Sequence, residues 1–172
     1  MKKLRITPKL IREVIEETAG EDVVELATLL KKQDNYSEFK LAEELEKEVN
    51  IIRNKLYRLL QYNLVSFTRK KDKRKGWYIT YWTFRTNEVK YRYKRLKEQK
   101  LAGLLRRLER EESDQFFVCE SKCMRMSFDN ATRYNFRCSE CGELFKLEDN
   151  SSKIKEIKVA IKEVQKLLST LA

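Results

Sequence analysis

Four cysteines are the residues with the clearest chemistry in this sequence. Cys119 and Cys123 form a C-x3-C pair, and Cys138 and Cys141 form a C-x2-C pair after fourteen intervening residues. Each pair can close a tight turn whose thiolates point at a common centre, and Gly142 suits the turn after the last cysteine. Four thiolates in a tetrahedral array satisfy Zn(II) and leave no open position. The spacing therefore predicts one structural zinc ion with these four ligands.

Other chemistries also use four cysteines, namely two disulfides, redox thiols or an iron–sulfur cluster. Disulfides are rare inside cells. The N-terminus, MKKLRITPKL, lacks the apolar core of a signal peptide. No apolar stretch approaches the roughly 20 residues that span a bilayer. We therefore expect a cytoplasmic protein with reduced cysteines and no membrane partner, in which segment 113–150 depends on its metal for folding because it has few apolar residues.

The sequence contains no histidine. Its absence removes the commonest general base, the Ser-His and Cys-His nucleophile pairs and most catalytic zinc sites. An acid pair or a lysine could still catalyse a reaction, but none is spaced like a known active site. We therefore expect that the protein is not an enzyme.

The positive charge is concentrated in one stretch of the chain. The sequence has 38 basic and 27 acidic residues, a net charge of +11. Residues 64–110 contain 16 basic and 4 acidic side chains, whereas residues 1–63 contain 12 of each sign. Such a concentration is typical of a surface that faces a polyanion.

The first third of the sequence predicts four helices. Thr7 before Pro8 is typical of an N-cap with proline at the first helical position, and Gly20 is placed to end that helix. Ser37 is placed to open the third helix. Apolar residues at helical spacing set the four ranges at about 8–20, 21–33, 37–48 and 50–62.

After Tyr62-Asn63 the period of the pattern changes. The segments LVSFTR and GWYITYWTFR are rich in β-branched and aromatic residues, and the charged run 70–75 separates them, so they predict a hairpin. Helices followed by a two-stranded hairpin form the winged helix, a helix-turn-helix variant. We assign residues 1–86 to this domain, with 37–48 and 50–62 as the helix-turn-helix pair and 70–76 as the tip of the wing.

Three further segments complete a fold that is mainly α with small β. Residues 87–112 are strongly charged and lack proline, so they predict a long helical linker, either a solvated spacer or a coiled-coil partner surface. Residues 113–150 form the predicted zinc ribbon, and residues 151–172 form a C-terminal amphipathic helix. Its apolar residues follow a strict heptad spacing, at Ile154, Ile157, Ile161, Val164, Leu168 and Leu171. This seam either packs within the chain or docks onto the helix of a partner.

The wing supplies the candidate contacts with nucleic acid or with a partner protein. Basic side chains can hold phosphates without reading sequence, and aromatic faces can stack on an unpaired base. Strand alternation limits the second role, because one face of the hairpin must pack on the helices. The candidates are Arg69, Lys70, Lys71, Lys73, Arg74, Lys75, Trp77, Tyr78, Tyr81 and Trp82.

The chain resembles the archaeal transcription factor E family, the counterparts of the α subunit of eukaryotic TFIIE. The resemblance is carried by LATLLKK, by KLAEELEKEVNIIRNKLYRLLQYNLVSFTRKKDKRKGWYITYWTFR and by NFRCSECGELF. It covers nearly the whole chain, and the GWY-x-x-YW strand is its most specific part. The first cysteine pair has one residue more than the usual family pattern, and no proline.

The resemblance implies an initiation factor that joins RNA polymerase, TATA-binding protein and transcription factor B at promoters and assists DNA opening. In the family, the winged helix sits on the polymerase clamp close to the non-template strand, and the ribbon lies toward the clamp base and the stalk. In some archaea the α subunit pairs with a β subunit, and the seam at 154–171 would be a surface for it.

The alternative function is an autonomous, sequence-specific winged-helix regulator with zinc-stabilised oligomerisation. The outer face of 50–62 offers Asn50, Asn54, Arg58 and Gln61, side chains that can grip base edges. However, residues 1–63 carry no net charge, so such a complex would lack its main source of affinity for DNA. We therefore favour the initiation factor, with promoter DNA bound non-specifically.

Overall fold

The chain is mainly helical, with two small antiparallel sheets. The computed structural model describes residues 5–71 and 76–171. The chain divides into two compact units, Met1–Leu96 and Lys97–Ala172. The boundary between them falls within the longest helix. No helix within the described ranges has both the length and the apolar character needed to cross a membrane.

Four helices form the N-terminal part of the first unit. Thr7 caps the first helix as predicted, since its hydroxyl accepts a hydrogen bond from the Leu10 amide at 3.2 Å. Gly20 follows this helix at φ +100°, where an added Cβ would lie 2.9 Å from the Asp22 carboxylate, so only glycine fits without strain. A 3-10 turn over Glu21–Val23 precedes the second helix. The helices are α1 (Pro8–Thr18), α2 (Val24–Leu30), α3 (Glu38–Glu44) and α4 (Val49–Gln61).

A three-stranded sheet completes the first unit. The predicted hairpin is observed as β2 (Val65–Lys71) and β3 (Tyr78–Phe84), and its register pairs Phe67 with Trp82 and Arg69 with Thr80. A strand of two residues, β1 (Tyr36–Ser37), pairs with the other edge of β3 and gives the order β1-β3-β2. The sequence pattern did not predict β1, because two residues show no alternation.

The core of the first unit combines the apolar stripes of the helices with one face of the hairpin. Trp82 is its largest fully buried side chain, at 1% exposed. Burial of this kind contributes roughly 1.5–3 kcal/mol for each large apolar side chain. The other residues that are at most 1% exposed are Val14, Ile15, Val23, Leu26, Ala27, Leu30, Leu41, Ile52, Leu56, Leu59, Leu64, Val65 and Val89.

The long helix predicted for 87–112 is observed as α5 (Thr86–Ser113). Val89 and Tyr93 on its first part are buried, whereas Leu105 on its second part is 45% exposed. The helix is therefore part of the first core at one end and polar over much of its length. Independent folding of the segments that it joins stays a prediction.

The second unit contains the four cysteines and another three-stranded sheet. Its strands are β4 (Phe116–Cys119), β5 (Arg125–Ser127) and β6 (Phe145–Leu147), in the order β5-β4-β6. A short helix, α6 (Phe128–Arg133), lies between the two cysteine pairs. The buried cluster contains Cys119, Met126, Ala131, Cys138 and Phe145, which is a small core.

A buried ion pair ties the end of α5 to this sheet. Glu111 is 3% exposed, and Arg125 donates to both of its carboxylate oxygens at 3.0 and 2.7 Å. Asn150 donates to the same carboxylate at 3.0 Å, and Arg125 also donates to Glu148. The hydrogen bond from Arg125 is the main reason why the pKa of Glu111 lies below its usual value. The Phe116 ring lies 3.8 Å from the Arg125 guanidinium carbon, a cation–π contact.

The C-terminal helix, α7 (Ser151–Leu171), carries the predicted heptad seam. Ile157, Ile161 and Val164 are buried within the chain, while Ile154, Leu168 and Leu171 are half-buried. Lys158 of α7 forms an ion pair with Glu112 of α5 at 2.6 Å. The burial supports packing of the seam within the chain, and its use by a partner helix stays a prediction.

Candidate metal centre and nucleic-acid interface

The four cysteine side chains meet at one point. Their sulfur atoms all lie within 4.8 Å of one another, and all four cysteines are free rather than disulfide-bonded. A tetrahedral zinc ion with Zn–S bonds of about 2.3 Å places its sulfurs about 3.8 Å apart. The observed spacing is therefore compatible with a single ion. A multi-iron cluster fits less well, since its irons and sulfides must lie between the thiolates.

Local backbone geometry turns each cysteine pair toward this point. In the first turn, the Lys122 amide donates to the Cys119 carbonyl at 2.9 Å, and Lys122 adopts φ +55°. In the second turn, the Gly142 amide donates to the Cys138 carbonyl at 2.8 Å, with Gly142 at φ +75°. Left-handed residues reverse the chain within a few positions. Both spacings therefore fold into tight turns, the first closed by a hydrogen bond between residues three apart and the second by one between residues four apart.

Glu143 links the two turns, a role that its position in the sequence did not predict. Its carboxylate accepts hydrogen bonds from the Ser121 amide at 3.0 Å and from the Ser121 hydroxyl at 2.9 Å. These hydrogen bonds from Ser121 lower the pKa of Glu143. Glu143 follows the second cysteine pair and Ser121 lies inside the first. The carboxylate therefore holds both halves of the centre together.

The four thiols differ in how readily they ionise. The amide of Met124, with that of Cys123 at 3.1 Å and the neighbouring thiols, lowers the pKa of Cys119 to about 7. The amide of Glu143 favours the Cys141 thiolate, but desolvation and the neighbouring sulfurs outweigh it and raise the pKa of Cys141 to about 12. Once one of the four close sulfurs is ionised, its negative charge opposes the ionisation of the next. A bound dication would remove this opposition, as expected for a metal centre.

These donors fit the predicted zinc ion. Four thiolates are a soft ligand set that selects zinc or iron–sulfur chemistry. Cys119 and Cys138 are buried in the small core, whereas Cys123 and Cys141 are exposed. With all four coordination positions taken by sulfur, the ion would stabilise the fold of the second unit and would have no open coordination site.

The hairpin places part of the predicted contact set on the surface. Arg69, Lys70 and Lys71 are exposed along β2. Trp77 is 54% exposed and Tyr78 is 66% exposed, so both offer ring surface to a partner. Tyr81 is half-buried, with the Lys70 ammonium 5.7 Å from its ring centre. Three predicted contacts, Lys73, Arg74 and Lys75, lie outside the described residues.

Trp82 is a correction to the predicted contact set. It is 1% exposed, and its ring packs 5.2 Å from that of Phe67 and 6.0 Å from that of Tyr57. Alternation alone placed Tyr78 and Trp82 on the same face of β3. Tyr57 and Phe67 cover the Trp82 ring whereas Tyr78 stays exposed, so Trp82 belongs to the core.

The sequence offered four side chains on the outer face of α4 to base edges, of which Asn50, Asn54 and Gln61 are exposed and Arg58 is paired within the chain. Arg58 forms an ion pair with Asp22. Arg53 forms a bidentate ion pair with Glu38, with nitrogen–oxygen distances of 3.1 and 2.7 Å. Glu38 is 3% exposed, so this pair fixes the guanidinium of Arg53. Side chains held in this way are poorly placed to read base edges in a major groove.

Comparison with known proteins is consistent with this architecture. The protein-family model of the TFIIE alpha subunit matches residues 9–115 of the chain. Transcription factor E of Methanobrevibacter smithii is 39% identical over 125 residues, covering 73% of this chain and 72% of that protein. The chain belongs to the TFIIE alpha family. Transcription factor E of Metallosphaera sedula is 30% identical over 91% of this chain and 90% of that protein, and that of Pyrococcus abyssi is 32% identical over 91% and 83%.

Membership of the TFIIE alpha family implies a general transcription initiation factor. The family consists of transcription factors that work with RNA polymerase and the initiation machinery. Resemblance to this family, inferred above from LATLLKK, from the segment at residues 40–85 and from NFRCSECGELF, is confirmed. The four clustered cysteines of this member are compatible with zinc binding.

Proposed function

We propose that the chain binds RNA polymerase in the preinitiation complex and assists promoter DNA opening. In this proposal the first unit is a winged helix, with α3 and α4 as its helix-turn-helix pair and the β2–β3 hairpin as its wing. The wing lies near the non-template strand as the DNA melts. The second unit is a zinc ribbon that holds one structural ion.

The exposed end of the hairpin is the observation that carries this proposal. Arg69, Lys70 and Lys71 are exposed next to Trp77 and Tyr78, whose rings are more than half exposed. Cations that hold phosphates beside aromatic rings that stack on bases are typical of surfaces for single-stranded nucleic acid. The hairpin also begins the segment that carries the net positive charge of the chain.

The proposed partners follow from the family. They are the polymerase clamp and stalk, TATA-binding protein and transcription factor B within the promoter complex, and non-template DNA bound without sequence preference. A β subunit is a further partner, for which the half-buried ends of the α7 seam, Ile154 and Leu168, supply the accessible apolar surface.

Autonomous operator binding is less well supported by the described residues. On α4, Arg53 is held by the buried carboxylate of Glu38, so freeing its guanidinium for a base would leave that carboxylate unpaired. Arg58 is paired with Asp22 at the surface, where an ion pair contributes little. A sequence-specific regulator needs such side chains free at the groove. Weak, strongly salt-dependent binding to duplex DNA is therefore expected of the purified chain.

The test combines affinity purification with a promoter-opening assay. The chain should co-purify with RNA polymerase and raise the permanganate reactivity of promoter thymines. Changing Arg69, Lys70 and Lys71 together to glutamine should lower that reactivity several-fold without abolishing co-purification. A charge-matched control changes three exposed lysines on other elements, Lys40, Lys162 and Lys166, to glutamine.

Two results would contradict the proposal. One is nanomolar binding of the purified chain to a single operator at physiological salt. The other is promoter opening that the hairpin variant leaves at the level of the control variant, which would mean that the hairpin does not contact melting DNA.

A further inference from the structure

A polar cleft lies between α4 and one face of the β2–β3 hairpin. Strand alternation puts Arg69 and Thr80 on the hairpin face that carries Trp82, and the register pairs these two residues directly. The cleft has a volume of about 280 Å³. It is lined by Glu38, Arg53, Tyr57, Arg69, Tyr78 and Thr80.

Aromatic side chains form parts of both walls of the cleft. Tyr57 projects from α4 and is 47% exposed, while Tyr78 projects from β3 and is 66% exposed. Tyr57 is held edge-on against the buried Trp82 at 6.0 Å between ring centres, so its orientation is fixed by the core. Tyrosine rings placed in this way offer flat surfaces for stacking, and their hydroxyls can bond to the edge of a base.

The charge of the cleft suits a phosphodiester. Among the described residues that line it, Glu38 is the one acid, and its carboxylate is already bound by Arg53. Arg69 therefore leaves the lining with a net positive charge of one unit. Its guanidinium is positioned by the Phe67 ring, whose centre is 5.5 Å away. A single phosphodiester carries one negative charge and matches this surplus.

The volume of the cleft suits one small ligand, and its walls admit a base only when that base is unpaired. Its volume of about 280 Å³ is at the lower limit of ligand pockets, which span roughly 300–1,000 Å³. A base within a duplex is stacked and paired, so it cannot enter a space between a helix and a hairpin. A base can enter only from a single strand or after leaving the stack.

We propose that this cleft binds one unpaired nucleotide of single-stranded DNA. Tyr57 and Tyr78 contact the base, Arg69 holds the adjacent phosphate, and the Glu38–Arg53 pair fixes the wall. The inference rests on the proposed function for the source of the strand, a melted promoter, and adds a defined site to it. Lys70 on the opposite face of β2 contributes charge but does not enter this site.

Photocrosslinking provides the first test, using the full zinc-loaded chain. A short single-stranded oligodeoxynucleotide that contains 5-iododeoxyuridine should crosslink to Tyr57 or Tyr78 when irradiated, as identified by mass spectrometry of the peptides. The same sequence as a perfect duplex should give little of this product, because its bases are not free to enter. Crosslinks only to other residues, or none at all, would overturn the proposal.

Matched variants give the second test, with affinity measured by fluorescence anisotropy. Tyr57→Ala and Tyr78→Ala should each weaken binding to the single strand by roughly 5- to 100-fold, the effect of losing one stacked base. Tyr57→Phe should retain most of the affinity because it keeps the ring. Tyr78 lies outside the core, so its variant remains informative if Tyr57→Ala loosens the packing of Trp82.

The comparison of Arg69→Gln with Lys70→Gln tests whether an effect comes from the phosphate contact in the cleft or from the overall positive charge of the hairpin. Both remove one positive charge, from adjacent residues on opposite faces of the same strand. At a protein concentration that saturates the oligonucleotide, only Arg69→Gln should lower the crosslink yield at Tyr57 and Tyr78. Equal yields in the two variants would refute a phosphate site at Arg69.

The outcomes also distinguish this inference from the proposed function. If the cleft variants keep full affinity for the single strand while polymerase binding falls, the cleft holds a protein side chain and the inference fails. If the crosslinks form as expected but hairpin variants leave promoter opening unchanged, the nucleotide site stands and the proposed role in opening fails.

Discussion

Replacing Arg125 with methionine is the sharpest test of how the second unit is built. The guanidinium makes two hydrogen bonds to Glu111, and that carboxylate is 3% exposed. Methionine keeps the length and apolar character that pack against Phe116, but it removes the charge and all donors. The substitution therefore leaves Glu111 as a buried carboxylate whose remaining side-chain donor among the described residues is Asn150.

The expected loss is about 3 kcal/mol in the free energy of unfolding of the second unit. Removing one partner of a buried ion pair costs about 3–5 kcal/mol, because the other charge stays desolvated. We take the lower end because Arg125 is 28% exposed and Asn150 still donates to the carboxylate. With a denaturant dependence of about 1.5 kcal/mol per molar urea, the midpoint should fall by roughly 2 M.

The tryptophan content of the chain provides an internal control for the assay. Both tryptophans, Trp77 and Trp82, are in the first unit, so their fluorescence follows that unit alone. Zinc released to a chromophoric chelator during urea unfolding follows the second unit. Arg125→Met should therefore move the zinc-release midpoint and leave the fluorescence midpoint in place.

Two comparison variants set the scale of this effect. Lys146→Met breaks an ion pair with Glu120 whose side chains are 67% and 68% exposed, so it should cost under about 1 kcal/mol. Glu111→Met combined with Arg125→Met should cost less than Arg125→Met alone, since no charge is left buried. A loss below about 1 kcal/mol for Arg125→Met would refute the reasoning, because it would mean that Glu111 is solvated.

The remaining predictions concern the metal centre and the C-terminal helix. Removing zinc, or Cys138→Ser, should unfold the second unit as followed by circular dichroism while tryptophan fluorescence is retained; loss of both signals together would show that the units do not fold independently. Zinc binding should release about one proton fewer at pH 8 than at pH 6, measured with an indicator dye, because the metal-free unit is expected to be unfolded and its four thiols, with ordinary pKa values of about 8.5, together carry roughly one negative charge at pH 8. Ile161→Ala should cost about 2–4 kcal/mol in the same zinc-release assay, since the side chain is 7% exposed, whereas Val159→Ala, at a position 56% exposed, should cost under about 0.5 kcal/mol.

Much of the local structure follows from the sequence. The cap at Thr7, the four N-terminal helices, the hairpin and the heptad helix are each encoded by residues close together in the chain, so their patterns are visible without the fold. The cysteine cluster was predictable for the same reason, since ligand spacing within each pair defines a tight turn. The short elements β1 and α6 were not predictable, because a few residues show no period.

The candidate nucleic-acid interface was likewise predicted in part by the sequence and decided in part by the tertiary structure. The sequence by itself determined that residues 64–110 carry the positive charge and that aromatic residues follow the basic run, because composition needs no coordinates. Only the tertiary structure decided that Trp82 is core while Tyr78 on the same face is exposed. The reason is packing, since Tyr57 of α4 and Phe67 of β2 lie against the Trp82 ring, whereas Tyr78 lies four residues earlier in β3 and is 66% exposed.

Pairings between distant residues were also decided by tertiary structure alone. Glu38 binds Arg53, Asp22 binds Arg58, and Glu111 binds both Arg125 and Asn150. In the sequence each of these is one charge or amide among many, and 38 basic and 27 acidic residues allow very many pairs. Burial selects among them, because a charge removed from water requires a partner whereas an exposed one does not. The sequence therefore determines the elements and the ligand set, and packing determines which side chains remain free to bind DNA.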